Sequence, residues 1–283
     1  VMGLLSFFKR AALPPVPARR PQTATKSGRS FAAGEMDRLS ASFTGSHLSI
    51  NEELRRSLVR MRQRSRELCA NNDYARKFLK TVKTNVIGPQ GIKLQCQFLN
   101  DRGEMDMNDI EFVEGAFNRW GKRKNASTCR KLSWLDIQNL AIETIARDGE
   151  VLIQKLRRPR DSSVFRLRLL ECDHLDVTHN EHLRNGYRIV MGVELNRDDM
   201  PVAYWLTTQH PGDYGQGGNI KRTRIMAADI IHTFITERPG QVRGVPWMHS
   251  AILRLNQLGK YEESELVSSR IGASKMGFYT TPD

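Results

Sequence analysis

From Ile50 to Asp148 the apolar residues of this 283-residue chain recur mostly every three or four positions; from Val151 to Ile235 they recur mostly every second one. The first spacing belongs to helices that bury one stripe, the second to strands that bury one face. A chain that changes period in this way does not alternate its elements as a βαβ fold does. The expected class is α+β: a helical N-terminal half, a run of antiparallel strands and a C-terminal helix.

The first helix is expected to start at Ser49, with Glu52 completing a capping box. Leu54, Leu58, Met61, Ser65 and Leu68 form its inward stripe, and Arg55, Arg56, Arg60, Arg62, Arg64 and Arg66 its outward face. "NND" at 71–73 supplies a break and a new cap. The helix after it packs through Tyr74, Phe78, Leu79 and Val82 and stops at Gly88–Pro89. A third helix is expected from near Asn108 to Trp120. A fourth starts at Ser133, with Asp136 three residues on and Leu140 and Ile145 inward. One stretch in this half, "GIKLQCQFL", alternates Ile92, Leu94, Cys96 and Phe98 and reads as a half-buried strand.

The later strands are expected in "VLIQKLR", "VFRLRLL", "RIVMGVELN", "VAYWLTT" and "DIIHTFI", with "RDDMP" as a hairpin connection. The loop "ERPGQVRGVPW" at 237–247 then leads into the helical pattern "MHSAILRLNQLGKYEESELVSSRI". Residues 1–48, rich in Pro, Ala, Ser, Thr and Arg without a period, read as a flexible basic arm. The domains expected are that arm, a core over 49–245, and a helix over 246–283.

Charge narrows the partners. The formal net charge is +13 and the pI about 9.9, a balance suited to a polyanion such as nucleic acid. Residues 119–131 hold six bases and no acid, and 54–83 hold ten bases against two acids. Arg55, Arg62, Arg66, Lys122, Arg123 and Lys124 are the expected contacts to DNA or an acidic partner. No nucleic-acid motif that reads sequence accompanies them, so contact would be to phosphates. The four cysteines form no C-x-x-C pair, which fits ordinary thiols in a reducing compartment. No apolar run reaches the length of about 18 residues that a membrane helix needs. The opening residues lack the features of a secretory signal.

Enzymatic chemistry has thin support. "ECDHLDVTHNEHLRN" groups Cys172, Asp173, His174, His179 and His182, but at spacings that fit no zinc module. Glu171, Asp173 and Asp176 are the densest carboxylate set, and a metal-dependent, nuclease-type DNA enzyme is the alternative reading they permit. The glycines of "GDYGQGGNIKR" lack the phosphate-loop pattern. The expectation is no enzyme, no metal and no cofactor.

Several motifs, in order, resemble lambda-type portal proteins of tailed bacteriophages. "RQRSRELCANNDYARKFLKTVKTNVIGPQGI" resembles that family's arginine-rich helix, its break and its exit. "ARDGEVLIQ" resembles its step from helix into strand, and "GVELNRDDMPVAYWL" its hairpin. "HTFITERPGQVRGVPWMHSAILRLNQLGKYEESEL" resembles its "GQ-RG" loop and following helix. The resemblance covers roughly 50–275. It implies a portal-like wing followed by the start of a stem or wing helix. It also implies a closed ring, dodecameric in the family, at a capsid vertex through which double-stranded DNA is packaged and ejected. The implied partners are other copies of the chain, DNA bound without sequence preference, terminase (whose motor would hydrolyse ATP), the major capsid or scaffold protein and a head–tail connector. The place is the virion, after assembly in the host cytoplasm, with no membrane involved. Family chains run on considerably further, so the tunnel loop and crown are not expected here. In a ring, unlike surfaces of neighbours meet. On that basis Arg238, Gln241, Arg243, Gly244 and Trp247 are expected at the subunit interface, with Arg243→Ala harming assembly more than the subunit.

Overall fold

Helix α1, Ile50–Asn71, begins where the Ser49 hydroxyl accepts a hydrogen bond from the Glu52 N–H at 3.3 Å. Only half of the expected capping box forms. The Glu52 carboxylate turns outward to Arg55 and Arg56 instead, at 2.7 and 3.1 Å. The computed structural model describes residues 38, 45–99, 103, 105–158, 161–213, 221–274 and 277, the side chains of 158 and 161–164 excepted. The arm expected over 1–48 lies almost wholly outside them. The chain divides into Val1–His47 and Leu48–Asp283, and the fold that follows is that of the second unit.

Asn72 ends α1 and caps α2, Asp73–Val86, by accepting from the Ala75 N–H at 3.1 Å. Helix α3, Met107–Trp120, is capped by Asp106, one turn-start earlier than Asn108. After the single turn α4, Arg123–Ala126, helix α5 spans Trp134–Asp148. Its capping box joins Ser133 and Asp136 in both directions, as the sequence indicated. Gly149 ends it in the left-handed region, at φ 96°, and turns the chain straight into the first strand.

Strands β1 (Glu150–Arg158), β2 (Asp161–Leu170) and β8 (Ile230–Phe234) form one antiparallel sheet with β1 in the middle. The second sheet is a meander of β3 (Glu181–His182), β4 (Arg188–Val190), β5 (Val193–Leu195), β6 (Pro201–Thr207) and β7 (Arg222–Met226). The expected strand "RIVMGVELN" is two strands folded at Met191 and Gly192, both at positive φ (47° and 84°). That is the backbone a two-residue hairpin requires. "RDDMP" does connect β5 to β6; the Asn196 carboxamide oxygen takes the Asp198 and Met200 N–H groups. Strand β7 carries no apolar alternation, because it is a largely exposed edge, and the sequence did not reveal it.

One expected strand does not exist. Residues 91–98 are irregular, and Ile92 is 60% exposed. The Ile92 backbone is satisfied by the Gln138 side chain of α5, whose amide accepts its N–H at 2.8 Å and donates to its carbonyl at 2.9 Å. A carboxamide thus replaces the neighbouring strand that alternation alone would suggest. Leu140, expected inward on α5, is also exposed.

The core has four parts. Leu152, Leu175, Val193, Tyr204 and Leu206 pack between the two sheets with Val242 of the 237–247 loop. Leu54, Leu58, Val177, Met191 and Val245 join α1 to the meander and the same loop. Leu68, Ala75, Leu79, Ala146 and Met248 knit the helices, and Ile137, Val151 and Leu167 seat α5 on β1 and β2. The loop therefore touches the sheets and α1 at once. Burying each large aliphatic chain contributes about 1.5–3 kcal/mol.

Candidate functional site

The turn "RDGE" places two carboxylates, Asp148 and Glu150, on either side of Gly149, and both are wholly buried. Each collects arginines from distant sequence. Arg62 of α1 donates to Glu150 Oε1 at 2.7 Å, to Asp173 Oδ1 at 3.4 Å and to the Asp148 carbonyl at 3.3 Å. Arg243, with no exposed surface, grips Glu150 through Nε (2.9 Å) and Nη2 (2.6 Å). Its remaining donors go to the carbonyls of Met191, Leu175 and Cys172 at 2.8–3.2 Å. The Gly244 N–H and His232 Nε2 complete the carboxylate, each at 2.9 Å from Oε2.

Asp148 is held by Arg66 (Nε at 2.9 Å) and Arg147 (Nε at 3.0 Å), and Arg66 also reaches Asp173 at 2.5 Å. Buried charge is tolerated here because every lone pair finds a donor. Burial alone would push the Glu150 carboxyl up. Arg243, with His232 and Arg62, reverses this and holds it well below the usual carboxylate range. Asp173 is likewise raised by burial but brought down by Arg62 and Arg66. The Cys172 thiol, donating to the Glu150 carbonyl at 2.8 Å, is pushed up by burial.

Two glycines let the loop reach this position. A Cβ on Gly244 would lie 2.1 Å from the Gly149 carbonyl oxygen, and one on Gly149 would lie 2.4 Å from the Val245 carbonyl carbon. The two backbones cross in direct contact, and Trp247 N–H then donates to the Ala146 carbonyl at 3.1 Å.

This arrangement corrects the sequence reading of the loop. Arg243 does not face a neighbour; its partner is Glu150 of its own chain. Gln241 is buried too, accepting from the Glu237 N–H at 2.8 Å and donating to the Arg243 carbonyl at 2.8 Å. Gly244 lies under Gly149, and Trp247 packs partly buried among core residues. Arg238 is exposed, and meets Glu53 at 3.1 Å and the Leu48 carbonyl at 3.3 Å.

The basic residues divide in the same way. Arg62 and Arg66 belong to the buried network, so Arg62 offers nothing to a phosphate. The reason was present in the spacing: 58, 62 and 65 are four and three apart, which puts Arg62 on the inward stripe of α1. Arg55 is exposed and paired with Glu52, whose carboxyl those arginine hydrogen bonds lower to about 2. Lys122, Arg123 and Lys124 are all exposed around α4, with Arg123 Nε 3.3 Å from Asp136.

The acidic–histidine stretch does not converge. His174 Nδ1 meets the Thr207 carbonyl at 2.9 Å, the His179 ring stands edge-on to Trp205, and His182 is exposed in β3. Among the described residues, the group with metal-ligand spacing is Glu171, Asp173 and His210, with ligand atoms within 4.8 Å of one another. Asp173 in that group already neutralises two guanidinium groups, and their positive charge opposes a dication at the same oxygens. Asp176, the third acid of the sequence set, is bound by Thr178 at 2.8 Å and by Arg222. These carboxylates hold the fold together. No helix is long and apolar enough to cross a membrane among the described residues.

Comparison with known proteins covers nearly the whole chain. Residues 36–283 match the model of the lambda family of phage portal proteins. A protein named as a probable portal protein, from Halomonas phage phiHAP-1, is 35% identical over 289 residues, covering 98% of this chain and 55% of the relative. Among solved structures, a chain from the neck of an empty GTA particle, computed with C6 symmetry, aligns over 86% of this chain and 52% of its own. That alignment has a TM-score of 0.42 and 14% identity. The chain spans about half the length of the relatives it matches.

Proposed function

This chain belongs to the lambda family of phage portal proteins, and we propose that it is the first part of a subunit that closes into a ring at a capsid vertex. Double-stranded DNA passes through that ring during packaging and ejection. The observation that carries the reading is the family match over 36–283, which spans every described helix and strand. Its chemistry agrees with such a role. The buried charges of the interior are spent on each other, and exposed positive charge sits in segments such as Lys122–Lys124.

In this role DNA is contacted through its phosphates, without sequence readout, and each phosphate neutralised releases counterions. The chain itself performs no catalysis; packaging is driven by a docked terminase, and capsid or scaffold protein and a head–tail connector are the other partners. The metal-dependent nuclease reading loses its basis, because the carboxylates it needs are paired with Arg62, Arg66 and Arg222.

The test is the mass distribution of the complete polypeptide, measured by size-exclusion chromatography with light scattering and by native mass spectrometry. A discrete, closed species of many subunits is expected. A monomer that cuts plasmid DNA only with added divalent cation would overturn the proposal.

A further inference from the structure

Two basic segments far apart in the sequence meet at one edge of the first sheet. Residues 119–131 hold six bases and no acid, and β2 carries Arg166 and Arg168 on the face opposite buried Leu167. Strand β2 is the last of its sheet, and 127–128 runs along its free side. Ser127 bridges in parallel to Leu167, and the Thr128 N–H donates to the Leu167 carbonyl at 3.0 Å. The Trp120 indole N–H, donating to the Phe165 carbonyl at 2.9 Å, fastens the end of α3 to the same strand. Lys122, Lys124, Arg130 and Lys131 thus come to lie beside Arg166 and Arg168. Five of the six are exposed and Arg166 is half-buried; among the described residues no acid pairs with any of them, whereas Arg123 is taken by Asp136. On β1 the residues facing Arg166 and Arg168 are Leu156 and Gln154, so no carboxylate opposes either across the sheet. Arg130 holds φ 56°, a conformation that residues other than glycine seldom take, and the turn keeps a base there all the same.

What this edge lacks narrows its partner. The exposed large apolar residues of the described chain lie elsewhere, among them Leu99, Phe112 and, on helix α6 (Ile252–Ser274), Leu266 and Ile271. Protein interfaces are built around an apolar or aromatic centre that sheds water, and 119–131 with 165–170 expose no large apolar group. The aromatic rings of this region are turned on one another. Trp120 packs against Phe117, Trp134 and Phe165 at centroid distances of 5.4–5.6 Å, and the Arg157 guanidinium lies over Phe165 at 5.9 Å. They make no open platform on which unpaired bases could stack, as a single strand requires. A duplex requires only cations placed to meet its phosphates.

We propose that this edge, formed by Lys122, Lys124, Arg130, Lys131, Arg166 and Arg168, is where the subunit contacts the phosphates of double-stranded DNA. It rests on the DNA role given above and locates it. Arg62 and Arg66, expected for that contact from the sequence, are spent inside the fold, while β2 supplies two of the six bases. Six phosphate contacts imply that affinity falls about 10³-fold between 50 and 200 mM salt.

Cys129, exposed between Lys124 and Arg130, is a native probe of the edge; the Ser127 hydroxyl, 3.5 Å from its sulfur, lowers the thiol and keeps it reactive. The experiment follows alkylation of each cysteine of the complete polypeptide by iodoacetamide, with mass mapping. A short DNA duplex at low salt should slow alkylation of Cys129 severalfold and leave Cys96 unchanged, and added salt should abolish the protection. Arg130→Gln with Arg168→Gln should flatten the salt dependence of duplex binding by about two phosphates. Removing the same charge from the exposed side of α1, with Arg60→Gln and Arg64→Gln, should leave that dependence nearly as it was. Equal losses in the two double variants, an unprotected Cys129, or tighter binding of a single strand than of the duplex overturns the proposal. Protection by polyglutamate where the duplex gives none overturns it too, and assigns the edge to an acidic protein. Rings formed by a protein whose Cys129 stays unprotected strike the edge and spare the ring reading; protection without rings does the opposite.

Discussion

The 241–246 loop and helix α6 are a few residues apart and reverse what their compositions suggest. The loop, "QVRGVP", holds an arginine, a glycine, a glutamine and a proline, and every residue of it is buried. The helix holds four leucines, two isoleucines, a valine and a tyrosine, and nearly all of it is exposed. The loop can be buried because the Gln241 and Arg243 side chains and the Gly244 N–H are satisfied within the chain, above all on Glu150. Beyond its first turns the helix is bare because the described residues supply no cover for Leu258, Leu266, Val267 and Ile271. Burial is decided by whether partners exist, and hydrophobicity alone does not reveal that.

The largest effect should come from breaking the loop's ion cluster. Arg243→Ala leaves Glu150 buried with Arg62 and His232 but without its two-point partner, and Glu150→Gln leaves two buried guanidiniums short of charge. Removing one partner of a buried pair typically costs about 3–5 kcal/mol. Thermal or urea unfolding of the unassembled subunit should show it. Arg243→Lys should recover only part, since an ammonium cannot span Glu150 and three carbonyls at once. A variant that melts normally yet fails to assemble would return Arg243 to the interface.

Next comes the backbone crossing beneath the cluster. Gly244→Ala forces a methyl against the Gly149 oxygen and the Phe234 side chain, which has its Cβ at 2.6 Å. Overpacking of this kind costs about 1–3 kcal/mol. Gly149→Ala adds the strain of a left-handed φ of 96°. Gly240→Ala is the control: its Cβ would meet nothing within 4 Å, although its φ of 76° is also positive. Equal melting temperatures for the Gly240 and Gly244 variants would show that the crossing is looser than described.

How much of this was legible follows from the range of each signal. Caps at Ser49, Asn72 and Ser133 act over three residues, so the sequence displays them, and three helix starts were read correctly. The Gly149 turn was equally local. The Arg243–Glu150 pair joins residues 93 apart, and no periodicity announces it. Arg62 was misplaced despite a local signal, because charge was weighed above its position on the stripe. The false strand at 91–98 failed for a different reason: its alternation is genuine, but Gln138 occupies the place of a neighbouring strand.

Acidification should weaken the loop region more gradually. Glu150, Asp173 and Asp176 have carboxyls held below their ordinary values, so the unfolded chain binds protons more readily than the folded one. Stability from these groups is fully present above the unfolded carboxylate range, about 4, and is lost as pH falls through the folded values. Melting temperature should therefore change little from pH 7 to 5 on their account and fall below that. Glu150→Gln should remove part of the acid-dependent fall. An undiminished fall in that variant would place the dependence elsewhere.

The smallest effect on the subunit should come from the bare helix, and it is the sharpest test of the comparison. Leu266→Ser and Ile271→Ser remove apolar groups that are already in water, so the folded chain loses almost no buried area. Surface changes of this kind usually stay within about 0.5 kcal/mol. Unfolding of the unassembled subunit should be unchanged within that margin, although serine lowers helix propensity slightly. The same substitutions should reduce the ring fraction of the complete polypeptide, since in a closed ring every interface repeats the defect. Arg243→Ala should do the reverse, lowering subunit stability first and assembly only as a consequence. If the serine variants instead melt far below the parent, α6 is packed against its own chain in solution. Its apolar face would then have a partner within the subunit, and the contrast between loop and helix would disappear.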